Sequence, residues 1–190
     1  IRLLFAGATG RSSEQTLIGQ TLLALLKRLQ SGTGQDALLR GYDLILAISE
    51  FTAGWIRQYW NIKPFVLPPA VEIERLRPLA KQSWIVSVGR FFAGSHNKKH
   101  LEMVRAFRQM CADGLSGWHF HLIGGYSETE SSRLYLNAVK EAIQGYPISL
   151  HVDAPYDELI ELYGKSAIFW HATGLGEDEI ATPERFEHFG

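Results

Sequence analysis

Three stretches of this sequence combine charge and glycine in patterns suited to a polyanion held beside hydroxyl groups. The first is Gly89-Arg90-Phe91-Phe92-Ala93-Gly94-Ser95-His96-Asn97-Lys98-Lys99, which sets one arginine and two lysines in a glycine-containing loop ahead of a helical pattern. Glycine lets backbone approach a ligand closely, Arg90 presents a planar fork of donors, and Lys98 adds a mobile point charge; together they suit a diphosphate. A solvated basic loop leading into a helix accounts for the same residues, and spacing alone does not separate the two. The second stretch, Gly124-Gly125-Tyr126, would turn backbone N–H groups toward a ligand, with a tight turn as the plainer reading. The third is Glu184-Arg185-Phe186-Glu187-His188-Phe189-Gly190. Its carboxylates accept hydrogen bonds from hydroxyls, and a helix opening after it would offer unpaired N–H groups to phosphate.

Other candidates have simple structural explanations. Glu177-Asp178-Glu179 could offer oxygen ligands to a hard cation, but adjacent acids usually point apart, and a solvated acidic loop is the reading adopted. His119 and His121 share one face of a strand by period two, which makes a zinc pair conceivable; no third ligand follows by spacing, so packed or hydrogen-bonded histidines are the reading adopted. Asp153-Ala154-Pro155-Tyr156 could support a nucleotide base, with Asp157 read as the cap of the next helix. Cys111 is the only cysteine; it is assigned to core packing, excludes an internal disulfide and fits a reducing, cytoplasmic compartment.

Composition narrows the class. The 190 residues are 46% hydrophobic and 21% charged, enough to bury a sizeable core in one or two domains. A formal net charge of −1 argues against a nucleic-acid partner, so any anion site must be local. No stretch approaches the roughly 18 apolar residues of a membrane span.

The elements that would position these loops follow from periodicity. Trp84–Val88, Trp118–Ile123, Ile148–Val152 and Ala167–His171 are short apolar runs. Between them Leu101, Val104, Phe107 and Met110/Cys111, then Leu136, Val139 and Ile143, and finally Leu159, Leu162 and Tyr163 recur at helical spacing. This alternation predicts βαβ units and a parallel sheet with helices on both faces, whose ligand would lie beyond the carboxyl ends of the strands. Upstream, Asp43–Ile48 reads as a strand and Ser49 as the N-cap of a helix carrying Trp55, Ile56 and Tyr59. Thr16–Leu29 is apolar enough for a helix. Pro64, Pro68, Pro69 and Pro78 make the stretch from Pro68 to Gln82 a linker. The domains expected are 1–78, a partial amino-terminal α/β domain with linker, and 79–190.

Taken in order, Ser87-Val88-Gly89-Arg90, Lys98 ahead of Val104-Arg105-Ala106-Phe107, Leu122-Ile123-Gly124-Gly125, Asp157-Glu158-Leu159 with Leu162-Tyr163, and Pro183-Glu184 to Gly190 resemble the carboxyl-terminal domain of group-1 (GT4-type) retaining glycosyltransferases. Tyr42–Ile45 through Ser49–Thr52 resembles the last strand and helix of that family's first domain. The tail resembles the first half of the family's E-x7-E motif, whose second Glu would follow Gly190, and the opening Ile1 suits a chain cut at its other end as well. The resemblance implies a GT-B fold, with a nucleotide-diphosphate-sugar donor bound mainly on the second domain. It further implies that Arg90 and Lys98 stabilise the departing diphosphate, that Glu187 holds hydroxyls of the transferred sugar, and that Gly89, Gly124, Gly125, His188, Phe189 and Gly190 complete the donor site. No metal or other cofactor is implied. The acceptor would be a glycan, a lipid-linked or a small molecule, with room for peripheral membrane contact through the missing part of the first domain. That domain's early glycine-rich loop and histidine-bearing loop have no match in residues 1–41, which puts activity of the chain by itself in doubt.

Two other classes compete. Leu3-Leu4-Phe5-Ala6-Gly7-Ala8-Thr9-Gly10-Arg11 resembles a strand entering a dinucleotide-binding turn, as in an oxidoreductase or epimerase, yet no second strand and acidic residue follow at the required distance. A nucleotide-sugar-binding module without turnover would show affinity but no product.

Overall fold

The computed structural model describes residues 3–5, 39 and 41–189, which divide into two compact units meeting at Ala70/Val71. The sequence expectations for Thr16–Leu29, for the glycine-rich turn after Phe5 and for Gly190 lie outside the described residues.

The first unit contains a parallel sheet in the order β1 (Leu3–Phe5), β2 (Leu44–Ala47), β3 (Phe65–Val66). Helix α1 (Glu50–Trp60) begins where Ser49 Oγ accepts the Thr52 N–H at 3.2 Å, the expected N-cap. It ends at Asn61, whose left-handed φ of 52° lets its N–H bond Arg57 O. Ala53 and Ile56 pack with Leu39, Ile45 and Ala47. Strand β3 was not expected from the sequence: two residues between Pro64 and Pro68 suffice because Leu67 N–H also bonds Ala47 O at 2.8 Å.

The second unit, Val71–Glu187, is the predicted βαβ array. It comprises β4 (Gln82–Val88), α2 (His100–Ala112), β5 (His119–Gly124), α3 (Glu130–Ala142), β6 (Ile148–Val152), α4 (Tyr156–Lys165) and β7 (Ser166–Phe169), followed by a 3₁₀ turn at Pro183–Arg185. All four strands are parallel, in the order β6-β5-β4-β7. Alternation along β4 and β5 feeds two cores, while β7 lies at the sheet edge with Ala167, Ile168 and Phe169 exposed. Ile85, Phe120 and Leu122 meet Met103, Val104 and Phe107 of α2 and Tyr135, Leu136 and Val139 of α3 on one face, with Cys111 packed alongside. Val86 and Ile123 meet Leu159, Leu162 and Tyr163 of α4 on the other. The chain therefore builds outward through β5 and β6, then crosses the opposite face to lay β7 beside β4, as right-handed crossovers require. The order reverses between β4 and β7, and in open α/β sheets ligands bind beyond the carboxyl ends of the strands at such a point.

Helix α4 departs from expectation at its start. Pro155 occupies the N-cap, and Asp157 instead pairs with Arg75, whose guanidinium also lies 5.0 Å from the Tyr156 ring centroid. The proline-rich connector is irregular but not loose. Leu79 N–H bonds Gly164 O at 3.0 Å, and Lys81 Nζ reaches Gly164 O and Ser166 O at 2.9 Å each, placing an ammonium on the last carbonyls of the helix.

Candidate functional site

Backbone geometry comes first at the carboxyl edge of the second sheet. The ladder between β4 and β5 runs past both strand ends through Gly89 N–H to Ile123 O at 3.0 Å and Phe91 N–H to Gly125 O at 2.9 Å. At Gly124 an added Cβ would lie 1.9 Å from Gly89 O, so only glycine fits. At Gly89 it would meet Lys98 Cγ at 2.5 Å, because the Lys98 stem crosses directly over that glycine. Gly125 stands beside Asp153, whose carboxylate accepts the Tyr126 N–H at 3.3 Å.

The loop after β4 returns to α2 with Lys99 as N-cap at φ 58°, a left-handed conformation that costs a lysine about 1 kcal/mol. Asn97 Oδ1 accepts the Lys99 N–H and, at 3.1 Å, the Tyr135 hydroxyl. The two consecutive lysines take separate carboxylates from the loop after β7. Lys98 Nζ bonds Glu187 Oε2, and Lys99 Nζ bonds Glu177 Oε1. Glu177 also receives Arg185 Nη1 on its other oxygen at 2.8 Å. Hydrogen bonds from Lys99 and then Arg185 outweigh its burial and hold Glu177 below the usual carboxylate range.

Glu187 is held by two donors on one oxygen: the Lys98 ammonium and, at 3.0 Å, His171 Nε2. Burial by itself would raise this carboxyl, but the hydrogen bonds and charges of Lys98 and His171 prevail and keep it low. The lysine and the glutamate are only 22% and 29% exposed, so their attraction is screened less than that of a surface pair. Beneath the loop His100 is fully buried, with its ring centroid 4.6 Å from that of Phe91 and its backbone N–H donated to the Tyr135 hydroxyl at 3.1 Å. Desolvation lowers its pKa to about 4, opposed by a hydrogen bond with the Gly89 backbone and assisted by the nearby Lys98 charge.

Lys98, Glu187, Gly89 and Gly124 thus come together, with Gly125 next to them across the strand ends. Arg90 leaves the same end of β4 with its side chain exposed; among the described residues it forms no ion pair or side-chain hydrogen bond. His188 stacks on Phe51 of α1 with centroids 5.6 Å apart and, like Phe189, groups with the first unit. The acidic triplet is divided among different partners: Glu177 serves Lys99 and Arg185, while Asp178 Oδ1 accepts the Ile180 and Ala181 N–H groups. His119 and His121 do share a face, where His121 Nδ1 meets His151 Nε2 at 3.0 Å and His119 Nε2 meets Ser149 Oγ at 2.8 Å. Among the described residues no three His, Cys, Asp or Glu side chains are grouped to hold a metal.

The sequence puts Lys99 in the basic loop and Arg185 in the tail without pairing either with Glu177, and it gives His171 no part in the site.

The arrangement presents cations, glycine backbone and a carboxylate at the sheet's switch point. No family model matches the sequence, and no curated protein matches it. Solved structures do match in fold. An α,α-trehalose-phosphate synthase (UDP-forming) from Burkholderia vietnamiensis aligns with 77% of this chain and 42% of its own at a TM-score of 0.54 and 12% identity. A chain of a GtfA/B complex aligns with 80% of this chain and 30% of its own at a TM-score of 0.50 and 16% identity. This chain accordingly spans less than half of either. The likeness is one of fold: an α/β architecture of GT-B type, with a parallel-sheet domain covered on both faces and part of a preceding α/β domain.

Proposed function

We propose that this chain is the donor-binding part of a retaining glycosyltransferase of GT4 type, which moves a sugar from a nucleotide-diphosphate-sugar to an acceptor. The observation that carries the reading is the pairing of Lys98 with Glu187 over Gly89, at the end of the sheet where β4 and β7 part. A cation for the diphosphate and a carboxylate for sugar hydroxyls are the two groups such a donor needs, and they lie within one hydrogen bond of each other. The fold neighbours support the reading, since one of them is named for a UDP-forming sugar transfer.

In this reading the diphosphate displaces Glu187 from Lys98 and gains Arg90 as a second cation. Both charges face an oxyanion that grows as the glycosidic bond to the phosphate breaks, so they act mainly on the transition state. The sugar is attacked on the face from which the diphosphate leaves, and the leaving phosphate takes the acceptor's proton. Glu187 orients hydroxyls of the sugar, while the backbone at Gly89, Gly124 and Gly125 allows close approach. Arg90 and Lys98 supply the positive charge for this step, so we read it as independent of metal; Cys111 as the sole cysteine suits the cytoplasmic setting we assign to it. The acceptor stays open among glycan, lipid-linked and small molecules; no helix among the described residues is long and apolar enough to cross a membrane.

Calorimetric titration with UDP, GDP and ADP and with their hexose conjugates tests the proposal, followed by assay for sugar transfer or hydrolysis. One nucleotide and its conjugate should bind, and Lys98→Ala should weaken both. Absence of binding to every member of the panel would overturn the reading, and affinity without any product would favour a binding module.

A further inference from the structure

The two donors on Glu187 Oε2 are unlike one another. Lys98 is a flexible ammonium in the loop before α2, and in the donor-site reading on which this inference rests, a diphosphate would claim it. His171 is held by a short side chain on a fixed piece of backbone. Trp170 N–H bonds Val86 O at 2.8 Å, which carries the β4–β7 ladder to the residue just before His171. The Trp170 ring packs on Phe120 with centroids 5.4 Å apart, and the His171 ring stacks over Phe169 at 6.4 Å. His171 therefore reaches Glu187 from the backbone-paired end of β7, at 3.0 Å, without depending on Lys98.

We propose that His171 is a positioning residue for Glu187. When the donor's diphosphate draws Lys98 away, the hydrogen bond from His171 Nε2 keeps the Glu187 carboxylate in place for the hydroxyls of the sugar. Without it, Glu187 would either follow Lys98 or turn to water, and the hydroxyls would lose their acceptor. His171 touches neither the diphosphate nor the reacting carbon in this scheme, so its effect is confined to ligands that carry the sugar.

The test compares His171→Ala, His171→Gln, Glu187→Gln and the double variant His171→Ala/Glu187→Gln by calorimetry and by hydrolysis of the nucleotide-sugar. The probes are the nucleoside diphosphate bound by the unmodified protein and its hexose conjugate. His171→Ala should change affinity for the free diphosphate by less than about twofold, yet weaken the conjugate and slow its hydrolysis by roughly tenfold, the loss expected from one charge-assisted hydrogen bond. His171→Gln, which retains an N–H donor, should recover most of that loss. The double variant should be no worse than Glu187→Gln, because both changes remove one interaction. Equal behaviour of His171→Ala and unmodified protein toward the conjugate would overturn the proposal. So would equal losses for both ligands without rescue by Gln, which would mark His171 as merely structural. If the unmodified protein binds no member of the panel, the donor-site reading itself fails and this inference falls with it.

Discussion

Lys98 and Glu187 neutralise each other, and this changes what substitution at either should do. Replacing Glu187 by Gln removes the carboxylate's claim on the ammonium and leaves Lys98 free for phosphate. Affinity for the free nucleoside diphosphate should then rise, by about 1 kcal/mol or roughly fivefold, while transfer of the sugar falls. Lys98→Ala should weaken the diphosphate and lower kcat/KM by on the order of a hundredfold, as expected for one preorganised charged donor. Titration with the nucleotide beside steady-state kinetics checks both; a fall in diphosphate affinity for Glu187→Gln would mean the carboxylate serves the nucleotide. Lys98 and Glu187 were legible in the sequence because residue type and motif order mark them. The companion pair was not: Lys99, itself in a left-handed conformation, meets Glu177 across 78 residues of chain. Local pattern carries no sign of such a contact.

At the scale of elements, the second sheet and its helices were legible because short apolar runs alternate with stretches of helical period. Buried residues at i, i+3, i+4 and i+7 in α2 (His100, Met103, Val104, Phe107) and α3 (Ser132, Tyr135, Leu136, Val139) give the helical stripe directly. Strand β3 escaped notice because its partner lies in another part of the chain and its two residues have no periodicity. The cap of α4 was misread because Asp157 is drawn to Arg75, a tertiary partner invisible to local spacing. Two glycines show how differently one residue type acts within elements. Gly54 in α1 has no atom within 4 Å of an added Cβ, so Gly54→Ala should stabilise the protein by about 0.5–1 kcal/mol. At Gly124 the obstacle is the carbonyl oxygen of Gly89, which has no rotamer to yield. Gly124→Ala should cost about 3 kcal/mol or more and disturb the end of the sheet. Urea denaturation of the two variants separates these expectations by sign.

For the molecule as a whole, acid should act through the second unit, which contains both strongly shifted histidines. Burial lowers His121 to about 4, with His119 and His151 adding repulsion; its ring lies between Trp84 and these two, and His151 in turn bonds Glu158 of α4. His100 is likewise lowered to about 4 by burial. Each folded-state value is below the ordinary 6.5, so the unfolded chain takes up protons first as pH falls. Their contribution is intact above about pH 6.5 and is lost progressively toward pH 4, by on the order of 3 kcal/mol per ring. Glu177 and Glu187, held low by their cations, add a second loss below the ordinary carboxylate value of 4.5. Denaturant midpoints measured from pH 8 to pH 3 should show this sequence, and His121→Gln should flatten the first part; a stability maximum near pH 5 would contradict it. The connector bears on how the molecule can be divided. Arg75, Leu79 and Lys81 fasten residues 71–81 to α4 and to the start of β7. A recombinant fragment opened at Gln82, where regular structure begins, would strip an ammonium from the helix's last carbonyls and bare the backbone of Gly164. Opening it at Val71 keeps every one of those fastenings, so the useful cut lies eleven residues ahead of the first strand, in chain that looks dispensable.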